Sequence, residues 1–87
     1  MQSQAELKRI IREKVLEFAV RLGGDVSGMS DDDILLKRGL LDSASVFELL
    51  VWLEMQFDLE LDFDGLSLDN FGSVTRMAEF IAAKQAG

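Results

Sequence analysis

Between Ser43 and Gln56 the chain carries more apolar residues than one face of a helix can hold. At about 100° per residue, Val46, Leu49, Leu50, Leu53 and Phe57 gather on one side. Ala44, Phe47, Val51 and Met55 gather roughly opposite, with Glu48 among them and Trp52 on the flank. A helix that is apolar all round is ordinarily the buried centre of a domain. A chain of 87 residues has little material with which to wrap one helix completely. The second stripe is therefore expected to be at least partly exposed, as apolar surfaces that meet partners are.

The rest of the chain can be organised around that helix. Leu7, Ile11, Val15, Phe18 and Leu22, with Ile10 and Ala19 beside them, give the apolar face of a first helix. Ser3 can cap its start, and Gly23-Gly24 stops it. Residues 23–42 lack helical periodicity, and a loop that long in a small domain is often functional. Ile34, Leu35 and Leu36 are expected to pin it to the core, whereas Asp31-Asp32-Asp33 reads as a solvated run or a short turn capped by Ser30. Asp42 suits the N-cap of the central helix. Asp58 to Asp64 alternates acid with Leu59, Leu61 and Phe63 and reads as an extended loop. Ser67 caps a short turn over Leu68–Phe71. A last helix starts near Ser73 and turns Val74, Met77, Ala78 and Ile81 inward. The expectation is a single all-α domain over residues 1–87, with three main helices, one short helix and a long loop between the first and second.

Several functions are excluded by what the chain lacks. It has no Cys and no His, hence no thiolate nucleophile, no Ser–His or Cys–His pair and no imidazole metal site. It has no Tyr, which leaves only perturbed carboxylates or lysines for acid–base work near neutral pH. The chain is thus not expected to be an enzyme or to hold a metal. Nine basic and sixteen acidic residues give a formal charge of −7. That sign opposes binding to nucleic acid and to anionic membranes, and favours partners with basic patches. The first 21 residues are net +2, so the acidic field belongs to the remainder, net −9. No signal-peptide pattern opens the chain, and its longest apolar run, Leu49–Leu53, is too short to span a bilayer. The expectation is a cytoplasmic monomer.

The chemistry concentrates in Gly39-Leu40-Leu41-Asp42-Ser43-Ala44, where the long loop meets the central helix. Gly39 permits a positive φ at the end of the loop. Ser43 falls in the first helical turn, beside the Asp42 cap. A phosphate on its hydroxyl would sit at the positive end of the helix dipole, near unpaired N–H groups.

Gly39 to Ala44, followed by Val46-Phe47-Glu48-Leu49-Leu50 and Leu53-Glu54, resembles the attachment-site signature of the acyl carrier protein family. Ile34-Leu35 and Phe57 fit the same pattern, and Leu66-Ser67-Leu68-Asp69-Asn70-Phe71 with Ser73-Val74 looks like the third helix and fourth-helix start of stand-alone carriers. The resemblance spans about residues 5–83 and is strongest over 34–57. It implies a four-helix carrier-protein bundle, with Ser43 esterified by 4′-phosphopantetheine and Asp42 as its acidic motif neighbour. A phosphopantetheinyl transferase would install this arm from coenzyme A. An adenylating ligase or acyltransferase would load its thiol with a thioester-linked acyl or aminoacyl group, for use by downstream condensing or transfer enzymes. Ala44, Glu48, Val51, Glu54 and Met55 match the family's partner-recognition face, and Phe47 belongs to the same exposed stripe. Ala44 replaces the larger residue usual after the serine, Met55 and Gln56 stand where fatty-acid carriers tend to be acidic, and Trp52 is bulky for its place. This less acidic, more apolar face fits a specialised carrier of aminoacyl, nonribosomal-peptide or polyketide type better than housekeeping fatty-acid synthesis.

Two other readings use the same residues. Glu60-x-Asp62-x-Asp64-Gly65 mimics the opening of an EF-hand loop, but the twelfth position is Phe71 instead of a bidentate Glu. An unmodified helical adaptor would use the Phe47/Val51/Met55 surface as a docking ridge without any covalent arm.

Overall fold

The Ser3 side chain accepts a hydrogen bond from the Glu6 N–H at 3.1 Å and opens the first helix, α1, Gln4–Arg21. The chain leaves that helix through Leu22 and through Gly23, whose φ of +80° suits a residue without Cβ. The computed structural model describes residues 2–60 and 72–86. Within them it holds two further helices, α2, Ser43–Phe57, and α3, Val74–Ala86, and no strand. The short turn expected over Leu68–Phe71 lies outside the described residues, as do Asp62 and Asp64 of the EF-hand mimic and most of the extended loop.

Helical periodicity predicts the core well. Leu7, Ile11, Val15, Phe18 and Ala19 of α1, Val46, Leu49, Leu50 and Leu53 of α2, and Val74, Met77, Ala78 and Ile81 of α3 form one buried cluster. Phe57 packs against it half-buried, as does Trp52. Trp52 meets Phe57 edge-on, and the Lys14 ammonium lies 5.3 Å from its ring centroid. α1 and α3 run antiparallel, with Gln85 near the end of one donating to Gln2 before the start of the other.

Two expectations are corrected and a third is resolved between its alternatives. Leu22 shares the angular phase of the α1 core stripe but is 48% exposed, because the helix ends at Arg21 and the chain turns away. Of the three loop residues expected to pin residues 23–42, Leu35 is fully buried and Leu36 half-buried, whereas Ile34 is exposed. The Asp31–Asp33 run follows the second of its two readings, a short turn capped by Ser30, whose Oγ accepts from the Asp32 N–H at 3.2 Å and whose carbonyl accepts from the Asp33 N–H; the Asp31 and Asp33 carboxylates are also paired. Arg12 of α1 donates to Asp31 Oδ1 at 2.8 Å and to the Met29 carbonyl at 2.8 Å. Arg38 donates to Asp33 Oδ2 at 2.7 Å and to the carbonyls of Ser27, Asp25 and Gly28. The Leu35 N–H donates to the Gly72 carbonyl, and the Thr75 N–H to the Asp31 carbonyl. The long loop is therefore tied to α1, to itself and to the start of α3.

Candidate functional site

The loop delivers the chain to α2 through two buried anchors. The Leu40 N–H donates to the Leu35 carbonyl at 3.0 Å, and Leu40 and Leu41 are both sunk in the core. Gly39 makes the preceding turn at φ +72°, a conformation that favours glycine because a Cβ there strains the backbone. With residues 40 and 41 held inside, Asp42, Ser43 and Ala44 emerge at the surface.

Asp42 is the N-cap, extended at φ −101° and ψ 176°. Its Oδ1 accepts from the Ser45 N–H at 2.8 Å, and its carbonyl accepts the first helical bond from Val46. The backbone N–H and the hydroxyl of Ser45 hold the Asp42 carboxyl below the usual carboxylate range. Ser43 is the first helical residue and is exposed. The N–H groups of Ser43 and Ala44 precede any intrahelical acceptor. An anion on the Ser43 hydroxyl would therefore meet the two remaining first-turn donors and the positive end of the α2 dipole. A phosphate ester fits this position.

The outer stripe of α2 continues away from Ser43. Phe47 is 55% exposed, Val51 37% and Met55 79%. Ala44 and Glu48 are exposed beside them, and Glu54 is half-buried at the edge. All six residues expected to meet partners thus reach the surface on one helix.

Sequence reasoning missed the residues that hold this end together. Arg12 and Arg38 bridge carboxylates and carbonyls 5 to 19 positions away, and no local pattern points to such pairs. The available hint was the placement of three consecutive acids in a loop between two arginines. Arg21 is a further residue that no sequence motif singles out. Its guanidinium stacks 4.8 Å from the Phe18 centroid, and with Phe18, Leu22, Ser45 and Glu48 it lines a cleft of about 210 Å³ between α1 and α2.

No protein-family model matches the chain, and no solved structure does. Curated proteins do match. The chain is 36% identical over 76 residues to the D-alanyl carrier protein of Streptococcus pyogenes serotype M5 (strain Manfredo), covering 86% of this chain and 95% of that one. It is 34% identical over 79 residues to the D-alanyl carrier protein of Streptococcus sanguinis (strain SK36), covering 91% and 90%.

Proposed function

Because the chain belongs to the stand-alone carrier-protein family that includes the D-alanyl carrier proteins, we propose that it is an aminoacyl carrier for D-alanine, attached through 4′-phosphopantetheine on Ser43. It is a carrier and not an enzyme. The observation that carries the reading is the placement of Ser43, exposed at the first residue of α2 and next to an outward apolar stripe.

The Ser43 Oγ is the nucleophile in attachment. It bonds to the pantetheine-side phosphorus of coenzyme A, the phosphoanhydride breaks, and adenosine 3′,5′-bisphosphate leaves. The hydroxyl proton goes to a base of the phosphopantetheinyl transferase, because this chain has no His and the Asp42 carboxylate is committed to Ser45. By occupying the Ser45 N–H, Asp42 leaves the Ser43 and Ala44 N–H groups to face the phosphodiester. When bound, the arm supplies the thiol that this cysteine-free chain lacks and holds the cargo as a thioester. Ala44, Phe47, Glu48, Val51, Glu54 and Met55 dock the transferase, an adenylating ligase and a downstream transfer enzyme in turn. We place the carrier in the cytoplasm, where coenzyme A and ATP are supplied; no helix among the described residues is long and apolar enough to cross a membrane.

The test is loading. With the arm installed, the carrier is incubated with a purified D-alanine-adenylating ligase, ATP and D-alanine. A hydroxylamine-labile D-alanyl adduct is expected on the unaltered chain and none on Ser43→Ala. Equal or faster loading with a fatty acid by a fatty-acyl synthetase would overturn the aminoacyl reading.

A further inference from the structure

The chain has no cysteine, so its own oxidisable sulfur atoms are the thioethers of its four methionines. Those that the structure describes differ in access to solvent. Met77 is 0% exposed and Met29 6%, both within the core cluster, whereas Met55 is 79% exposed. Trp52, the other oxidisable side chain of α2, is half-buried, with Phe57 edge-on to it and the Lys14 ammonium over its ring. A small oxidant in solvent therefore meets the Met55 sulfur before these others.

Met55 also stands where a change of polarity has consequences. It lies four residues after Val51 and eight after Phe47, in line with both along α2, and is the most exposed of the three. A thioether is apolar and adapts its shape to what covers it. A sulfoxide carries a polar S–O group that needs a hydrogen-bond donor, and the side chains of Phe47 and Val51 offer none. A protein that covers the stripe would have to bury that oxygen unpaired, at a cost in affinity.

We propose that Met55 is an oxidation-controlled docking residue, converted by hydrogen peroxide to its sulfoxide, and that the oxidised carrier is a poorer substrate for the enzymes that dock on α2. The sulfur lone pair attacks one peroxide oxygen, the O–O bond breaks and an S–O bond forms. The proton on the transferred oxygen passes to the departing one, which leaves as water. Sulfur is oxidised and peroxide reduced, each by two electrons. Methionine sulfoxide reductases reverse the change. The inference rests on the reading of the outer α2 stripe as a docking face and adds a redox control to it. That control acts on the stripe itself and is common to every partner that covers it.

The experiment starts from the chain without its arm, so that no arm thiol competes for peroxide. Hydrogen peroxide is applied and then removed with catalase, and peptide mapping locates the oxidised sulfurs. The arm is installed to completion, checked by intact mass, and D-alanine is loaded by a purified D-alanine-adenylating ligase. One oxygen is expected on Met55 before any on Met29 or Met77, with the helical melt unchanged. Loading kcat/KM is expected to fall about fivefold, through KM. It should recover when the oxidised chain is first treated with reductases for both sulfoxide epimers. Met55→Leu, whatever its starting rate, should load equally before and after peroxide. Oxidation of Met29 or Met77 as fast as of Met55, a lowered melt with oxygen on Met55 alone, or an equal loss of loading in Met55→Leu each overturns the proposal. Unchanged loading of the Met55 sulfoxide, with Met55→Glu still slowed, overturns the redox control and leaves the docking face intact. Unchanged loading in both overturns the docking face as well, and failure of the untreated chain to be loaded overturns the carrier reading together with the proposal.

Discussion

Both sides of α2 carry large apolar residues, but only one side is buried. Val46, Leu49, Leu50 and Leu53 are buried against α1 and α3, while Phe47, Val51 and Met55 stand in solvent on the same helix. Each inner residue stabilises the fold by about 1.5–3 kcal/mol through area removed from water. The outer ones, 37% to 79% exposed, bury less of their apolar area in the fold. The apolar content of this helix therefore serves the fold on one side and is left at the surface on the other, where we propose that partners dock.

The comparison is broken most sharply by truncating the inner side. Leu49→Ala should lose about 2–5 kcal/mol in urea or thermal unfolding, because truncating a fully buried leucine leaves a cavity in the core cluster. A loss below about 1 kcal/mol would mean that the inner stripe is not the core it is taken to be. On the outer side, Met55→Glu and Val51→Glu should change stability by no more than about 0.5 kcal/mol. They should slow ligase loading of the arm-bearing carrier about tenfold by burying an unpaired charge under the partner. A collapsed melt with normal loading by the remaining folded protein would place these residues in the core instead.

How much of this was legible in the sequence depended on range. The inner and outer stripes follow from helical angles, and Asp42 and Ser73 cap their helices as their types suggest, with Ser73 Oγ accepting from the Arg76 N–H. Leu22 falls outside the core because periodicity gives an angle and not the point where a helix stops. Arg12 and Arg38 were invisible because their partners are loop carbonyls and carboxylates brought close only by the fold. The setting of Ser43, a glycine turn followed by a capped helix, is legible in the sequence as a good place for an anionic group; the attachment role itself comes only from the family resemblance. The cleft beside Arg21 was not legible, since it exists only where two helices meet.

Smaller perturbations sharpen the contrast between α2 and the loop that feeds it. Arg38→Met removes the bridge from Asp33 to the 25–28 carbonyls. It should cost about 1 kcal/mol, the order expected for charge-assisted bonds near the surface. Amide exchange should accelerate at Met29 and Leu40 and remain slow at Leu49 and Leu53. Uniform acceleration across α2 would show that loop and helix open as one unit.

The smallest effect expected is on pH. Asp25, Asp33 and Asp42 are each held below the usual 3.8, first by the backbone N–H groups of Ser27, Ser30 and Ser45 respectively. The folded chain thus binds fewer protons at these sites than the unfolded chain does. Their contribution is fully present above about pH 5 and is lost as the pH falls through 3.8 toward the lower folded values. Melts between pH 7 and pH 3 should show this decline. Asp42→Asn, which keeps a capping oxygen but cannot titrate, should flatten part of it; an identical acid profile in that variant would remove Asp42 from the account.

The central claim is that Ser43 is the attachment point, and intact mass tests it most directly. The unmodified protein is incubated with coenzyme A, Mg²⁺ and a promiscuous phosphopantetheinyl transferase, alongside Ser43→Ala. The account predicts a single phosphopantetheinyl group on the unaltered chain, mapped to Ser43, and none on the variant. An unchanged mass with several competent transferases, or an addition that survives in Ser43→Ala, would contradict it.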